Sequence, residues 1–270
     1  MRKSVRRDTL MTVEMPFIDY PVTLISRGEV QREKSTVTVE FPLQIVVNGQ
    51  LLVNLLCTPE HMEELVTGFL YSEGIITSLA DILHLKIESG KAEVEIKGEF
   101  RGGEGWIPTL TTGCGQNVSW QNKKTRDCIF ETRISSQITV AAENITGLID
   151  ELQRISVHYR KTHGTHGAAL ADKSGIIIFR EDIGRHNAID KVAGSVLYQG
   201  LTTDDKLLLT TGRISSEILT KAARLKVPFL VSRSVPTDYA IQLGELLGIT
   251  IVGFVRGKSL KVYSHNWRVN

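Results

Sequence analysis

The sequence predicts a mixed α/β protein (α+β overall), with a strand-rich N-terminal region followed by a layered α/β domain. Three observations carry that expectation. Between Val37 and Ile96 apolar and polar residues alternate around compact turn signals, as in strands with one face against a core. From Ala168 to Val255 short apolar runs exchange with amphipathic segments, as expected where helices cover a sheet. A glycine-rich stretch from Gly102 to Gly115 interrupts both rhythms. With 270 residues, 41% of them hydrophobic and 23% charged, the chain can bury a substantial core. We place the regional boundary at residues 135/136, giving 1–135 as the strand-rich region with a cysteine-bearing loop and 136–270 as the α/β, ligand-binding domain.

In chain order, Val37–Phe41, Leu43–Val47 and Leu51–Leu56 read as short strands, the last two joined by the hairpin signal Asn48-Gly49. Thr58-Pro59 offers a helix start, Met62, Leu65, Phe69 and Leu70 share a helical face, and Gly74 ends it. Ile82–Glu88 and Ala92–Ile96 resume strand alternation. Gly102, Gly103, Gly105, Pro108 and the run Thr111-Thr112-Gly113-Cys114-Gly115-Gln116-Asn117 read as one long loop. Ala142–Val157 is an amphipathic connecting helix with Ile145, Leu148, Ile149 and Leu152 on one side. Strands Ala168–Ala171 and Ile176–Phe179 flank the turn Lys173-Ser174-Gly175. Helix Gly184–Tyr198, strand Leu207–Leu209, helix Ser216–Leu225, strand Phe229–Val231, helix Asp238–Leu247 and strand Thr250–Val255 complete the series.

Bulk properties exclude several classes. Thirty-two Lys plus Arg against 30 Asp plus Glu give a net charge of +2, which does not favour a nucleic acid partner. No segment reaches the roughly 18 uninterrupted apolar residues of a membrane helix, so no membrane insertion is expected. The basic start Arg2–Arg7 lacks a following apolar run and reads as a solvated tail. Three cysteines, Cys57, Cys114 and Cys128, argue against a disulfide scaffold and for a reducing, cytoplasmic setting.

Cys114 is the leading chemical candidate. Flanking glycines leave room for reaction partners and for backbone N–H groups to stabilise anionic sulfur, and a nearby basic group would raise the thiolate fraction. An incidental loop cysteine is the alternative. Cys57 and Cys128, set among apolar neighbours, read as packing residues. His163 and His166 could exchange protons or serve only as loop hydrogen-bonding groups. They lack a clear third ligand, so no structural metal is predicted. His61-Met62-Glu63 has no Pro-Cys-x-x-Cys partner, which disfavours zinc deaminase chemistry.

Several strand ends carry basic and hydroxyl groups. In Glu181-Asp182-Ile183-Gly184-Arg185-His186-Asn187, Asp182 suits a helix N-cap while Arg185 and His186 could face an anion. Thr210-Thr211-Gly212-Arg213-Ile214-Ser215-Ser216-Glu217 could cradle phosphate through backbone N–H groups, Ser215 and Arg213, or be a well-capped turn. Ser232-Arg233-Ser234 occupies the matching end of the next strand, which favours a shared ligand crevice including Arg233, with ordinary solvated turns as the alternative. In Gly253-Phe254-Val255-Arg256-Gly257-Lys258-Ser259, Arg256 and Lys258 could neutralise phosphates or simply be solvated, and Phe254 could meet a planar ring or fill the core.

Thr112-Gly113-Cys114-Gly115, the run Glu181–Lys191, Thr211–Glu217 and Gly253–Gly257, in that order, resemble the FdhD/NarQ family of formate dehydrogenase accessory proteins across nearly the whole chain. The resemblance implies a cytoplasmic, homodimeric sulfurtransferase with a cytidine-deaminase-like α/β domain lacking the deaminase zinc machinery. Such a protein accepts sulfur from a cysteine desulfurase as a cysteine persulfide. It passes that sulfur to the molybdenum cofactor, molybdenum bis(molybdopterin guanine dinucleotide), of formate dehydrogenase. Carried onto this chain, Cys114 matches the persulfide-forming cysteine, and Gly253, Phe254, Val255, Arg256, Gly257 and Lys258 match the cofactor-binding segment. On the resulting reading Arg185, Arg213, Ser215 and Arg233 also position cofactor phosphates, and His166 or His186 moves protons. Many relatives carry a Cys-x-x-Cys pair, but here the second position is Asn117. Single-cysteine transfer remains chemically sufficient, because donor and acceptor supply the other sides of the exchange. The competing reading is a chaperone that delivers the same cofactor without covalent sulfur transfer.

Overall fold

The computed structural model describes residues 15–100, 106–110, 118–122 and 133–270. Strands β1 (Phe17–Ser26) and β2 (Glu29–Thr38) form a two-stranded antiparallel hairpin. Its turn residues, Arg27 and Gly28, both take positive φ, 51° and 89°. Next, β3 (Phe41–Val47) and β4 (Gln50–Cys57) are joined through Asn48 and Gly49, again with positive φ at both positions, 46° and 78°. That is the backbone an Asn-Gly hairpin turn needs to match strand twist. With β5 (Ile82–Glu88) and β6 (Lys91–Ile96) they make a four-stranded sheet of order β4-β3-β6-β5, in which β3 and β6 run parallel. Phe41, Leu43, Ile45 and Val47 alternate into its core with Leu65, Val66, Phe69 and Leu70 of helix α1 (Met62–Ser72). Strands β7 (Trp106–Leu110) and β8 (Val118–Asn122) pair antiparallel.

The second unit begins with helices α2 (Ala142–Ile155) and α3 (Val157–Thr162). It continues as β9 (His166–Asp172), β10 (Gly175–Asp182), α4 (Arg185–Gln199), β11 (Leu207–Thr210) and α5 (Ser216–Arg224). Then follow β12 (Phe229–Ser232), α6 (Asp238–Leu247), β13 (Thr250–Arg256) and β14 (Ser259–Val262). The sheet order is β10-β9-β11-β12-β13-β14, with β11, β12 and β13 parallel and the rest antiparallel. Leu170, Leu208, Leu230 and Ile251 pack with α4, α5 and α6, whereas Ala169, Leu207, Leu209, Phe229 and Val231 pack with Ile145, Leu148, Ile149 and Leu152 of α2. Burial on both faces is why these strands read as continuous apolar runs instead of alternating ones. This is the mixed α/β architecture expected, and its layering is compatible with a deaminase-like arrangement.

The two units meet where α1 crosses α4. A Cβ on Gly68 would lie 1.8 Å from the Asp190 carbonyl oxygen, and one on Gly194 would lie 2.0 Å from that of Glu64. Only glycine permits that approach of two backbones. Charged pairs frame the crossing: Arg180 meets Glu64 at 2.5 and 2.6 Å, and Lys221 meets Asp190 at 2.7 and 2.8 Å. Glu73 lies 3.5 Å from Lys221.

Several expectations need correction. The chain breaks at Val39-Glu40, so 37–41 is not one strand. The β1–β2 hairpin and β14 went unforeseen. Helix α1 starts at Met62 after His61, in left-handed conformation, while Thr58 bonds to the second unit. The connecting helix ends at Ile155, and a separate short helix begins at Val157. Ser156 between them returns its hydroxyl to the Leu152 carbonyl. The stretch read as one long loop contains β7 and begins β8 just beyond Asn117.

Candidate functional site

The sheet register brings the strand ends named above to one edge. Asp182 at the end of β10 pairs with His166 at the start of β9, Thr210 with Ala168, and Thr210 with Ser232. Helices α4, α5 and α6 follow these ends directly, so their N-terminal amides face the same crevice, the usual place for ligands in α/β sheets.

At the β10–β11 end the polar groups are tied to one another. The Thr211 hydroxyl accepts the Gly167 N–H at 3.1 Å and lies 3.2 Å from His166 Nδ1. Burial, then the charges of Arg185 and His186, hold the His166 imidazole below its ordinary value, with Asp182 opposing. A half-buried, neutral imidazole is the form suited to accept or relay a proton. His186 Nε2 stands 3.0 Å from Glu217 Oε2. The Arg185 side chain crosses Gly212 so closely that a Cβ there would lie 2.9 Å from its Cβ and Cδ.

Beneath these residues Asp182 is fully buried and is not the cap of α4; Gly184 occupies that position. Asp182 Oδ1 accepts from the Gly184 N–H and Asn187 Nδ2, both at 2.9 Å. Oδ2 accepts from the Thr58 N–H at 3.0 Å and pairs with Lys191 Nζ at 2.7 Å. Lys191 also donates to the Thr58 and Glu181 carbonyls. The carboxylate is drawn inward because it must neutralise a lysine on a helix that is buried nearly all round. The network fixes the start of α4, and hence Arg185 and His186, against the first unit.

Toward β12–β14 the chemistry differs. Ser215 is buried and caps α5, its hydroxyl accepting the Ile218 N–H at 3.5 Å, and Arg213 is exposed beside it. The Ser232 hydroxyl donates to the Gly212 carbonyl at 2.6 Å and accepts the Ser234 N–H at 2.9 Å, with Arg233 exposed between. Gly253 is boxed in by the Ser234 carbonyl, Pro236 and Tyr263 at 3.0 to 3.1 Å from a would-be Cβ. Phe254 takes φ 54°, and its N–H donates to the Ser234 carbonyl at 2.6 Å. Its ring carries the Arg256 guanidinium at 4.4 Å and Lys261 Nζ at 5.0 Å. Val255 is buried in the α2-side core, while Arg256, Gly257 and Lys258 are exposed in the β13–β14 turn.

Thus His166, Arg185, His186 and Gly212 form one cluster. Arg233 and the 253–258 segment form another, about 10 Å further along, two strand spacings from β11 to β13. Cys114 and Cys128 lie outside the described residues; Cys57 is buried, and burial pushes its thiol up to about 12. Lys191 and Glu217 stood in the sequence motifs without a role of their own. A lysine and an aspartate inside the apolar run of α4 were the available signal, since such charges need partners. Lys261 gave none. Among the described residues no group of three or more His, Cys, Asp or Glu side chains could hold a metal, and no helix is long and apolar enough to cross a membrane.

Fold and site together define a mixed α/β protein whose larger sheet gathers basic and hydroxyl side chains along one edge, at the strand ends that helices α4, α5 and α6 follow. Residues 38–270 match the FdhD/NarQ family, and the chain belongs to that family. It is 40% identical over 245 residues to the sulfur carrier protein FdhD of Listeria innocua, spanning 88% of this chain and 92% of the relative. It is 38% identical over 249 residues to the sulfur carrier protein FdhD of Bacillus subtilis, with 90% and 94% covered. A crystal structure of a candidate formate dehydrogenase accessory protein from Desulfotalea psychrophila superposes with a TM-score of 0.78 at 24% identity. It covers 95% of this chain and 100% of that one. That likeness establishes the shared fold.

Proposed function

We propose that this chain is a sulfur carrier serving formate dehydrogenase, acting as a cytoplasmic homodimer with Cys114 as the carrier residue. The observation that carries the reading is its similarity over about nine-tenths of its length to proteins named sulfur carrier protein FdhD. In the first step the Cys114 thiolate attacks the terminal sulfur of a cysteine desulfurase persulfide. A sulfur–sulfur bond to Cys114 forms as the donor's breaks, and the donor cysteine leaves as thiolate. The second step has molybdenum bis(molybdopterin guanine dinucleotide) as its substrate and sulfur acceptor. Releasing sulfur as sulfide takes two electrons; with Asn117 in the second loop position, these come from the metal acceptor or an external thiol.

The crevice chemistry fits such an acceptor. Arg213, Arg233, Arg256 and Lys258 are exposed and suited to its phosphates, and the buried Asp182 network steadies Arg185 and His186. His166, held below its ordinary value, is suited to take the proton that the terminal S–H gives up in the second step. Ser215 contributes by ordering α5, because its hydroxyl is already used as the cap.

The test is restoration of formate dehydrogenase activity in cells lacking their own carrier. Wild type restores it and Cys114→Ala does not. Full restoration by Cys114→Ala, with cofactor binding retained, would instead establish a chaperone that delivers cofactor without carrying sulfur.

A further inference from the structure

The β13–β14 end of the crevice holds a cation with no assigned role. Lys261 lies on β14 opposite Gly253, across the irregularity in pairing between Gly253 and Arg256. A bulge of this kind re-aims side chains at the margin of a sheet. Here Phe254 takes a left-handed backbone conformation, uncommon for an aromatic residue, and its ring gathers Arg256 at 4.4 Å and Lys261 at 5.0 Å. Leu260 and Val262, the strand neighbours of Lys261, pack into the α2-side core, so strand alternation sends Lys261 to the other face, where α6 and the Ser234–Pro236 loop lie. Among the described residues neither Arg256, Lys258, Lys261 nor Arg233 has a carboxylate within ion-pair distance. Both cations gather on one ring, neither has a carboxylate partner among the described residues, and an anion is a group that would satisfy both.

We propose that Lys261 is a further ligand-contacting residue of the crevice. With Arg256, and propped by the Phe254 ring, it clamps a phosphate or pyrophosphate group of a nucleotide-containing ligand. Phe254 thereby acts as a positioning residue that presents the two cations, in place of a platform for a base. The inference rests on the proposed function for its ligand class, and it adds a contact outside the 253–258 segment.

Calorimetric titration of the full chain with inorganic pyrophosphate and with guanosine diphosphate tests it. Lys261→Ala should weaken both probes by about tenfold, Lys261→Glu should weaken them further, and Lys261→Arg should retain most of the affinity. The salt dependence of binding should also flatten in Lys261→Ala, a change that loss of packing at an exposed lysine does not produce. Lys91→Ala removes an exposed charge paired with Glu93 in the four-stranded sheet and should leave binding unchanged. Wild-type binding that persists within twofold in Lys261→Ala and Lys261→Glu overturns the role of Lys261 and leaves the crevice reading intact. Failure of the wild type to bind either probe overturns both.

Discussion

The two ends of one sheet edge use charge in opposite ways. At the β10–β11 end the buried Asp182 carboxylate is answered within the protein by Lys191, and the His186 ring lies against Glu217. At the β12–β14 end Arg233, Arg256, Lys258 and Lys261 are exposed, with only the Phe254 ring gathering two of them. Internal pairing fixes geometry, and uncompensated charge is available to a ligand. On the proposed function, the first end holds reactive groups still and the second draws an anion in.

Lys191→Met should break the first end most severely. It leaves the fully buried Asp182 carboxylate without its cation, at a cost of about 3–5 kcal/mol, read as a lowered midpoint in urea unfolding. A variant as stable as wild type would mean that the Asp182–Lys191 pair does not hold this end together. At the α1–α4 crossing, burial pushes the Glu73 carboxyl up to about 6 from its ordinary 4.5, against the pull of Lys221. Burial opposes the charge of Lys221 too, yet Asp190 and Glu73 keep its ammonium above the usual value. A carboxyl raised on folding stabilises the fold below its unfolded value, and that contribution is lost as pH rises through the folded value. Wild type should therefore lose about 2 kcal/mol relative to Glu73→Gln as pH rises from about 3 to about 7.5, most of it between the ordinary value of 4.5 and the folded value of about 6. Parallel pH profiles for the two proteins would contradict this. The opposite end supplies the smallest effect on stability: Arg233→Ala and Lys258→Ala should shift the unfolding midpoint by no more than about 0.5 kcal/mol, while each weakens pyrophosphate binding. A large loss of stability in either would erase the distinction between the two ends.

Sequence rhythm anticipated the larger sheet well because its strands are bounded by strong punctuation. Helix Asp238–Leu247 and strand Phe229–Ser232 follow the expected order, and the Asn48-Gly49 turn adopts the expected backbone. The β1–β2 hairpin was less legible, since most of its side chains are exposed and exert little demand for alternation. The role of Asp182 was hidden for a different reason. An acid two residues before a helix looks like a cap, and only the fold brings Lys191 and Thr58 to it. The basic strand ends were visible as residues, but their convergence depends on a sheet order that periodicity does not encode. Lys261 gave no signal because a single lysine on an edge strand is ordinary until the bulge turns Phe254 toward it.

On the proposed function, the crevice serves one sulfur atom, that of Cys114. The most direct measurement is intact-mass analysis and peptide mapping of wild type, Cys114→Ala and a Cys57→Ala/Cys128→Ala double variant, each after exposure to sulfur-loaded desulfurase. The account predicts one added sulfur, on the peptide containing Cys114, in wild type and the double variant, and none in Cys114→Ala. Undiminished loading of Cys114→Ala, or sulfur found on Cys57 or Cys128 instead, would contradict it.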